Sequence, residues 1–332
     1  MQVLRILGFP ISLIYALVVH IRNFLFDIDF FTSKEFETTT ICVGNLSVGG
    51  TGKTPMIEYL IEEFKAENKI AVLSRGYGRK SKGFLLANEK TTVENLGDEP
   101  YQIQTKFPEI IVAVDGNRQN GISILEKNAK PDLILLDDAF QHRKIKPTFS
   151  ILLTAFDNLY SNDWYLPTGT LRDSKREAKR ADLIIVTKCP ENIEEFSQAK
   201  IIQRLKPQPR QQILFAYLKY DKVLKGYNEN LNIAALQTKK ITLITGIANP
   251  KPLLQFLNKN ELTVEHLNYK DHHFFSKDEI AFFNTKEFIV TTEKDYVRLQ
   301  GKVAKLSYIA IEHQFIGKGK EVIKQTLMEA IT

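Results

Sequence analysis

The sequence predicts an α/β protein: a doubly wound, mainly parallel sheet, a smaller second α/β domain, and an apolar, membrane-associated helix at the N-terminus. Three observations carry this expectation. Short β-branched runs alternate with helical patterns along the 332 residues. Those runs are apolar on both faces, as strands are when helices cover both sides of a parallel sheet. The segment Ser47-Val48-Gly49-Gly50-Thr51-Gly52-Lys53-Thr54 follows one such run and opens a helix, so a glycine-rich turn sits where a P-loop NTPase-type fold has it.

From Ile6 to Val19 the chain carries no charge, and Ile21, Phe24 and Leu25 extend its apolar character. A bilayer span takes about 20 mostly apolar residues, and Pro10, His20 and Arg22 interrupt this run. A secretory signal needs a stronger basic start and a small-residue cleavage site, and neither is found. Residues 1–28 are therefore expected to form a helix lying in one membrane leaflet, with Phe30 and Phe31 at the same depth. The competing reading is a buried core helix.

The run Thr38 to Val43 is the strand ahead of the glycine-rich turn. Glycines let backbone N–H groups converge on phosphate oxygens, and the helix N-terminus adds partial positive charge. Lys53 reaches terminal phosphates in such a loop and the Thr54 hydroxyl ligates Mg²⁺. Ser47 stands where the usual pattern has its first glycine. In the helix that follows, Met56, Ile57, Leu60, Ile61 and Phe64 recur at helical spacing, while Glu58, Glu62, Glu63 and Lys65 take the other face. Pro55 falls in the first turn, where its missing N–H costs nothing.

Further strands are expected at Ile70–Leu73, Ile110–Val114, Leu133–Leu136, Ser150–Leu153 and Leu183–Thr187. A second block contributes Ile241–Thr245, Val264–Leu267, Phe288–Thr291 and Tyr308–Ile311. The organisation predicted is a P-loop kinase-type domain over 29–210, a linker over 211–240 and a smaller domain over 241–332. No internal repeat or low-complexity segment interrupts it.

Composition excludes some functions. Forty-five basic against 39 acidic residues give a net charge of +6. That mild bias is not a nucleic-acid signature, and suits an anionic ligand or an anionic membrane surface. The two cysteines, Cys42 and Cys189, lie far apart and fit a reduced compartment. No nucleic acid and no protein partner is predicted.

Several constellations carry chemistry. Asp137-Asp138 ends the apolar run Leu133-Ile134-Leu135-Leu136, where Mg²⁺ beside a phosphate loop needs oxygen ligands. Asp98, in Gly97-Asp98-Glu99-Pro100, reads equally as a helix N-cap or as a carboxylate that accepts a hydroxyl proton. Asp271-His272-His273-Phe274 pairs an acid with imidazoles but is unassigned by itself. Among basic residues, Arg75 and Arg172, set among Gly and Pro at strand ends, are best placed to hold phosphates. Thr187-Lys188-Cys189-Pro190 follows a strand where guanine-binding proteins often carry Asn/Thr-Lys-x-Asp; proline in the final place favours ATP over GTP.

Together these segments resemble the tetraacyldisaccharide 4′-kinases of lipid A synthesis. The resemblance runs in order through Gly44-Asn45 with Ser47–Pro55, Ser74-Arg75-Gly76-Tyr77-Gly78, Gly97–Pro100, Asp137-Asp138-Ala139-Phe140-Gln141-His142-Arg143, Leu166–Arg172, Asp271–Phe274 and Thr292-Glu293-Lys294-Asp295. Ala139 stands where glycine is expected. The resemblance implies an ATP- and Mg²⁺-dependent kinase that phosphorylates the 4′-hydroxyl of an acylated disaccharide 1-phosphate. It also implies a monotopic enzyme on the cytoplasmic face of a Gram-negative inner membrane. Carried over by residue, it places the nucleotide on Ser47 to Thr54 and the metal on Thr54, Asp138 and Asp137. Catalysis falls to Lys53 and to an Asp98–His272 base pair, and substrate contacts to Arg75, Glu99, Arg118, Gln141 and Arg172. Two other classes compete: a phosphate-loop NTPase acting as a regulatory switch or metallochaperone, and a metal-dependent phosphoesterase.

Overall fold

The computed structural model describes residues 8–227 and 230–331; Ile6 and Leu7, which open the uncharged run, lie outside them. The first helix spans Phe9–Asp27. Its burial is inverted relative to a soluble helix. Ser12, Val19, Asn23 and Phe26 face the protein, while Ile11, Leu13, Ile14, Leu17, Val18, Ile21 and Phe24 are each at least half exposed.

Eight strands follow: β1 (Thr39–Asn45), β2 (Ile70–Ser74), β3 (Leu85–Leu86), β4 (Ile111–Val114), β5 (Leu133–Asp137), β6 (Phe149–Ala155), β7 (Leu183–Thr187) and β8 (Gln212–Tyr220). Five more, β9 (Lys225–Gly226), β10 (Ile241–Thr245), β11 (Val264–Asn268), β12 (Phe288–Thr292) and β13 (Leu306–Ile309), build a second sheet. A last strand, β14 (Ile311–Phe315), returns to the first.

The larger sheet runs β14-β8-β7-β6-β1-β5-β2-β4-β3 and the smaller β11-β10-β12-β13-β9. Both are parallel inside, with antiparallel pairing at β3, β14 and β9. β1 sits between β5 and β6, so the loop after it opens at the point where chain order reverses across the sheet. Ligands of open α/β sheets bind there.

The residues explain the layering. Six of the seven β1 residues are buried, as a central strand requires. On one face the helix Lys53–Phe64 presses Met56, Ile57, Leu60 and Ile61 onto Ile41, Val43, Val72 and Leu135, joined by Ile323 and Leu327 of the C-terminal helix Gly319–Ile331. Each such side chain contributes about 1.5–3 kcal/mol of gross transfer energy. The opposite face packs Cys42, Leu73, Leu136, Leu152 and Ile184 against Ile122, Leu125 and Leu205. Gly44 is required by close approach, since a Cβ there would lie 2.5 Å from Phe140 Cβ.

Three expectations are corrected. Residues 212–220, read as part of a linker over 211–240, form β8 in the larger sheet. Within this strand Leu214, Phe215 and Ala216 are buried and the residues on either side are not. The run Tyr308–Ile311 is divided between sheets: β13 ends at Ile309 and β14 pairs antiparallel with β8. Residues 311–331 thus pack on the larger sheet rather than completing a domain over 241–332. Third, Glu58 is buried on the helix Lys53–Phe64, 5% exposed, because Gln102 and Lys106 donate to its two oxygens at 2.7 Å each.

Candidate active site

The loop after β1 turns through Gly49 (φ 115°) and Gly52 (φ 85°), left-handed positions that glycine takes without strain. Gly52 caps the helix, and no side chain does so, which leaves the helix N–H groups to a ligand. The loop is braced from outside. Ser47 is 4% exposed and donates from Oγ to Asp163 Oδ2 at 3.0 Å, so the departure from the glycine pattern has a structural use. Val48 N–H donates to the Thr170 carbonyl, and Thr187 Oγ donates to the Thr51 carbonyl. Asn45 Nδ2 donates to Thr51 Oγ1 at 2.9 Å. Gly50 and Val48 stay exposed, and a Cβ on Gly50 would lie 3.8 Å from Lys188 Nζ.

Lys53 Nζ stands 3.8 Å from Asp138 Oδ1 and 3.5 Å from Asn45 Oδ1. Asp138, left-handed at φ 48°, is gripped by both guanidinium nitrogens of Arg172. Burial by itself would raise its pKa, but Arg172 and Lys53 reverse that and hold it below the ordinary carboxylate range. Asp137 is the opposite case. It is 1% exposed, and burial, then Glu99 and Asp138, push its pKa well above the usual range. Ser74 Oγ donates to its Oδ2 at 3.0 Å, while Oδ1 is buried with no partner.

Glu99 thereby shares the field of these carboxylates. Arg118 is 1% exposed and donates to the Asp115 carbonyl at 2.9 Å; its Nε has no partner, and the charges of Asp137 and Asp138 act on it. Arg75 is exposed just beyond β2. His142 feels it: burial, then Arg118 and Arg75, lower this imidazole to about 4. Gln141 Nε2 donates to the Asn45 carbonyl at 2.6 Å.

The second domain meets the first along the helix Asp98–Lys106, beginning at its N-terminal end. His272 Nδ1 lies 2.8 Å from Asp98 Oδ2, and Arg298 donates to the same oxygen at 2.7 Å. A carboxylate only accepts, so Nδ1 carries the proton; Lys294 Nζ donates to Nε2 at 3.0 Å. Burial works to raise the Asp98 pKa, yet the bonds from His272 and Arg298 bring it down to about 2. Asp98 is the first helical residue and makes no side-chain cap, so its carboxylate is spent on these partners. His273 instead meets Glu279 at 3.0 Å. His272 is itself left-handed, at φ 59°, a conformation costly for a non-glycine residue and common at functional sites.

Sequence reasoning did not single out Arg298. It sits one turn after Asp295, which receives its other nitrogen at 3.0 Å and is itself fixed by Gly246 N–H and Thr292 Oγ. Lys106 was also missed. It bridges buried Glu58, on the helix behind the phosphate loop, and Glu293 of the second domain, at 2.7 and 2.9 Å. No local pattern marks either, because each has its meaning only through a partner far along the chain.

A glycine-rich loop at the switch point of a doubly wound sheet, facing a Lys, an Asp pair and an Arg fork, defines the phosphate-loop class of enzymes. Within that class the chain belongs to the tetraacyldisaccharide-1-P 4′-kinase family, whose profile matches residues 4–332. It is therefore a kinase. It is 49% identical over 323 residues to a tetraacyldisaccharide 4′-kinase of Flavobacterium johnsoniae, covering 95% of this chain and 94% of that one. It is 46% identical to a protein of the same name from Flavobacterium psychrophilum, over 98% and 97% of the two chains. A crystal structure of LpxK from Aquifex aeolicus in complex with ATP superposes with a TM-score of 0.81 at 28% identity, covering 99% of this chain and all of that one. These matches do not favour a regulatory switch or metallochaperone.

Proposed function

We propose that the chain transfers the γ-phosphate of ATP to the 4′-hydroxyl of an acylated disaccharide 1-phosphate, giving the 4′-phosphorylated lipid A precursor, at the cytoplasmic face of the inner membrane. The observation that carries the reading is the Asp98–His272 pair, assembled from two domains at 2.8 Å beside the carboxylates that face the phosphate loop.

The geometry supports these roles. Loop residues Ser47 to Thr54 hold the nucleotide phosphates through backbone N–H groups, and Lys53 places its charge on the phosphoryl group that moves. Transfer through a loose transition state needs chiefly position and charge. Mg²⁺ would be held by Thr54 Oγ1, Asp138 and Asp137. The residues fit it: they are hard oxygen donors, and Asp137 Oδ1 is buried without a partner. When bound, the ion neutralises phosphate charge. Arg172 holds Asp138 in place meanwhile, Arg75, Glu99 and Gln141 line the acceptor side, and Arg118, itself buried, adds its charge to the carboxylates there.

Both bonds to Asp98 fall on Oδ2, and we assign Oδ1 to the 4′-hydroxyl. A carboxylate held at about 2 is a weak base, so its action depends on position: His272 Nδ1–H and Arg298 fix Oδ2, and Oδ1 takes the hydroxyl proton as the new O–P bond forms. Exposed apolar residues of Phe9–Asp27, with Trp164, Phe30 and Phe31 also exposed, lie in the membrane that supplies the lipid. Residues 1–28 are the membrane element, and the kinase and smaller domains meet at the base pair.

Incubation with ATP, Mg²⁺ and the acylated disaccharide 1-phosphate tests this directly. Stoichiometric label transfer to the lipid supports it. ATP hydrolysis without transfer, or phosphate release from a phospholipid without ATP, would overturn it in favour of an NTPase or a phosphoesterase.

A further inference from the structure

His313 lies on β14, on the far side of the chain's excursion into the second sheet, and the mechanism above does not use it. It is 3% exposed. Its Nε2 is 2.9 Å from the carbonyl oxygen of Gly52, the residue that ends the phosphate loop. A carbonyl cannot donate, so Nε2 carries the proton and Nδ1 is bare. Nδ1 is buried without a partner. An unsatisfied buried acceptor is costly, and an apolar side chain would avoid that cost. Burial also lowers this imidazole to about 4, so it is neutral at any ordinary pH.

The Gly52 carbonyl already accepts from Met56 N–H at 3.1 Å in the first turn of the helix. The bond from His313 is a second, on the outer side of the same peptide. Fixing that carbonyl fixes the peptide plane, and with it the N–H of Lys53 on the other edge. The fit is close: a Cβ at Gly52 would lie 2.9 Å from His313 Nε2 and 3.0 Å from its Cε1.

We infer that His313 is a positioning residue for nucleotide: its Nε2–H pins the Gly52 peptide so that the loop amides point at the phosphates before ATP arrives. This rests on the phosphate-loop reading of Ser47 to Thr54. The cost of the bare Nδ1 is then offset by preorganisation, since a loop that need not order on binding loses less affinity.

The test compares His313→Leu, His313→Gln and His313→Asn in the full chain. ATP binding with Mg²⁺ is measured by calorimetry, KM for ATP and for acceptor by turnover, and the melting temperature without nucleotide. A side chain bond of this kind is worth about 0.5–1.5 kcal/mol, so Leu should weaken ATP by about 2- to 13-fold. Gln can present a donor at similar reach and should recover most of that affinity; Asn, a methylene shorter, should not. Acceptor KM should stay within about two-fold in all three, because the bond orders the nucleotide loop alone. If Leu does not fold, the Gln and Asn pair still decides. Equal ATP affinity in Gln and Asn, or losses that follow melting temperature rather than donor chemistry, would overturn the inference. Lys53→Ala is the control on the parent reading. If that variant binds and turns over ATP normally the loop assignment fails, whereas failure in the His313 series alone leaves it standing.

Discussion

Replacing Asp98 by Asn should cut kcat by about 100- to 10,000-fold, the range of a positioned proton acceptor, while ATP affinity changes little. The structure sets what accompanies the loss. The drop of the Asp98 pKa from 3.8 to about 2, at about 1.36 kcal/mol per pH unit, favours the ionised form by about 2 kcal/mol in the folded protein. A carboxyl with a depressed folded pKa contributes stability above its unfolded value and loses it as pH falls through the folded one. Asp98 is therefore fully ionised across the working range, and its own protonation does not shape the activity profile. The Asn variant should lower the plateau of that profile without shifting its limbs.

Stability is measured alongside, because Arg298 is 3% exposed and Asp98 is one of its two carboxylates. Breaking a buried pair costs about 3–5 kcal/mol, and Asp295 at 3.0 Å should retain part of it. His272→Ala leaves Arg298 on Asp98 and should cost far less stability with a comparable loss in kcat. Both residues act through one oxygen, so the double variant should be much less than multiplicatively worse. The assay is phosphate transfer at saturating ATP, normalised to folded enzyme, with ATP binding measured separately. Losses that multiply independently, or an Asp98→Asn defect confined to ATP binding, would refute the dyad.

Three further outcomes are expected. Lys53→Ala should lower turnover by several powers of ten with melting temperature preserved, and near-normal transfer would remove Lys53 from the phosphoryl site. Ile14→Asp with Leu17→Asp, both outward on the first helix, should release the protein from anionic vesicles in a sedimentation assay. Activity on a short-chain soluble acceptor should stay within about two-fold; continued sedimentation would shift the anchor to basic residues such as Arg172–Arg180. Lys106→Met leaves Glu58 and Glu293, both of raised pKa, without their shared cation. A carboxyl whose pKa is higher folded than unfolded loses stability as pH rises, so this variant should fall further below the parent at about pH 8.5 than at 5.5 in thermal melts. A pH-independent difference would show that the cluster does not ionise.

What the sequence made legible were features whose signal is local. A strand buried on both faces reads as a continuous apolar run, so β1, β2, β5 and β7 were found within a residue or two. The phosphate loop needs glycine, lysine and threonine in consecutive places. What escaped depends on distance. Asp98 and His272 are 174 residues apart, and only the family resemblance joined them. Glu58 looked solvated because its cation lies 48 residues on. β8 and β14 pair across the whole second domain, so each alone looked like an end of something else. The first helix was read correctly as apolar. Its inward polar face, where Asn23 donates to Asp173 and Tyr15 to the Arg172 carbonyl, has no sequence signal.

The path of the chain bears on how the site works. The second sheet is inserted between β8 and β14 rather than appended after them. Four residues separate Tyr220 at the end of β8 from Lys225 in β9, and one separates Ile309 in β13 from Ile311 in β14. These two crossings lie side by side, Asp221 N–H donating to the Ala310 carbonyl at 2.9 Å. A second domain carried on so narrow a joint is steered by its contacts elsewhere. Those contacts are concentrated at the two ends of the helix Asp98–Lys106, as ion pairs to Arg298 and to Glu293. For buried pairs, attraction and desolvation nearly cancel, so these contacts fix position more than they add stability. Charge at both ends gives the second domain one definite position, the one that sets His272 on Asp98.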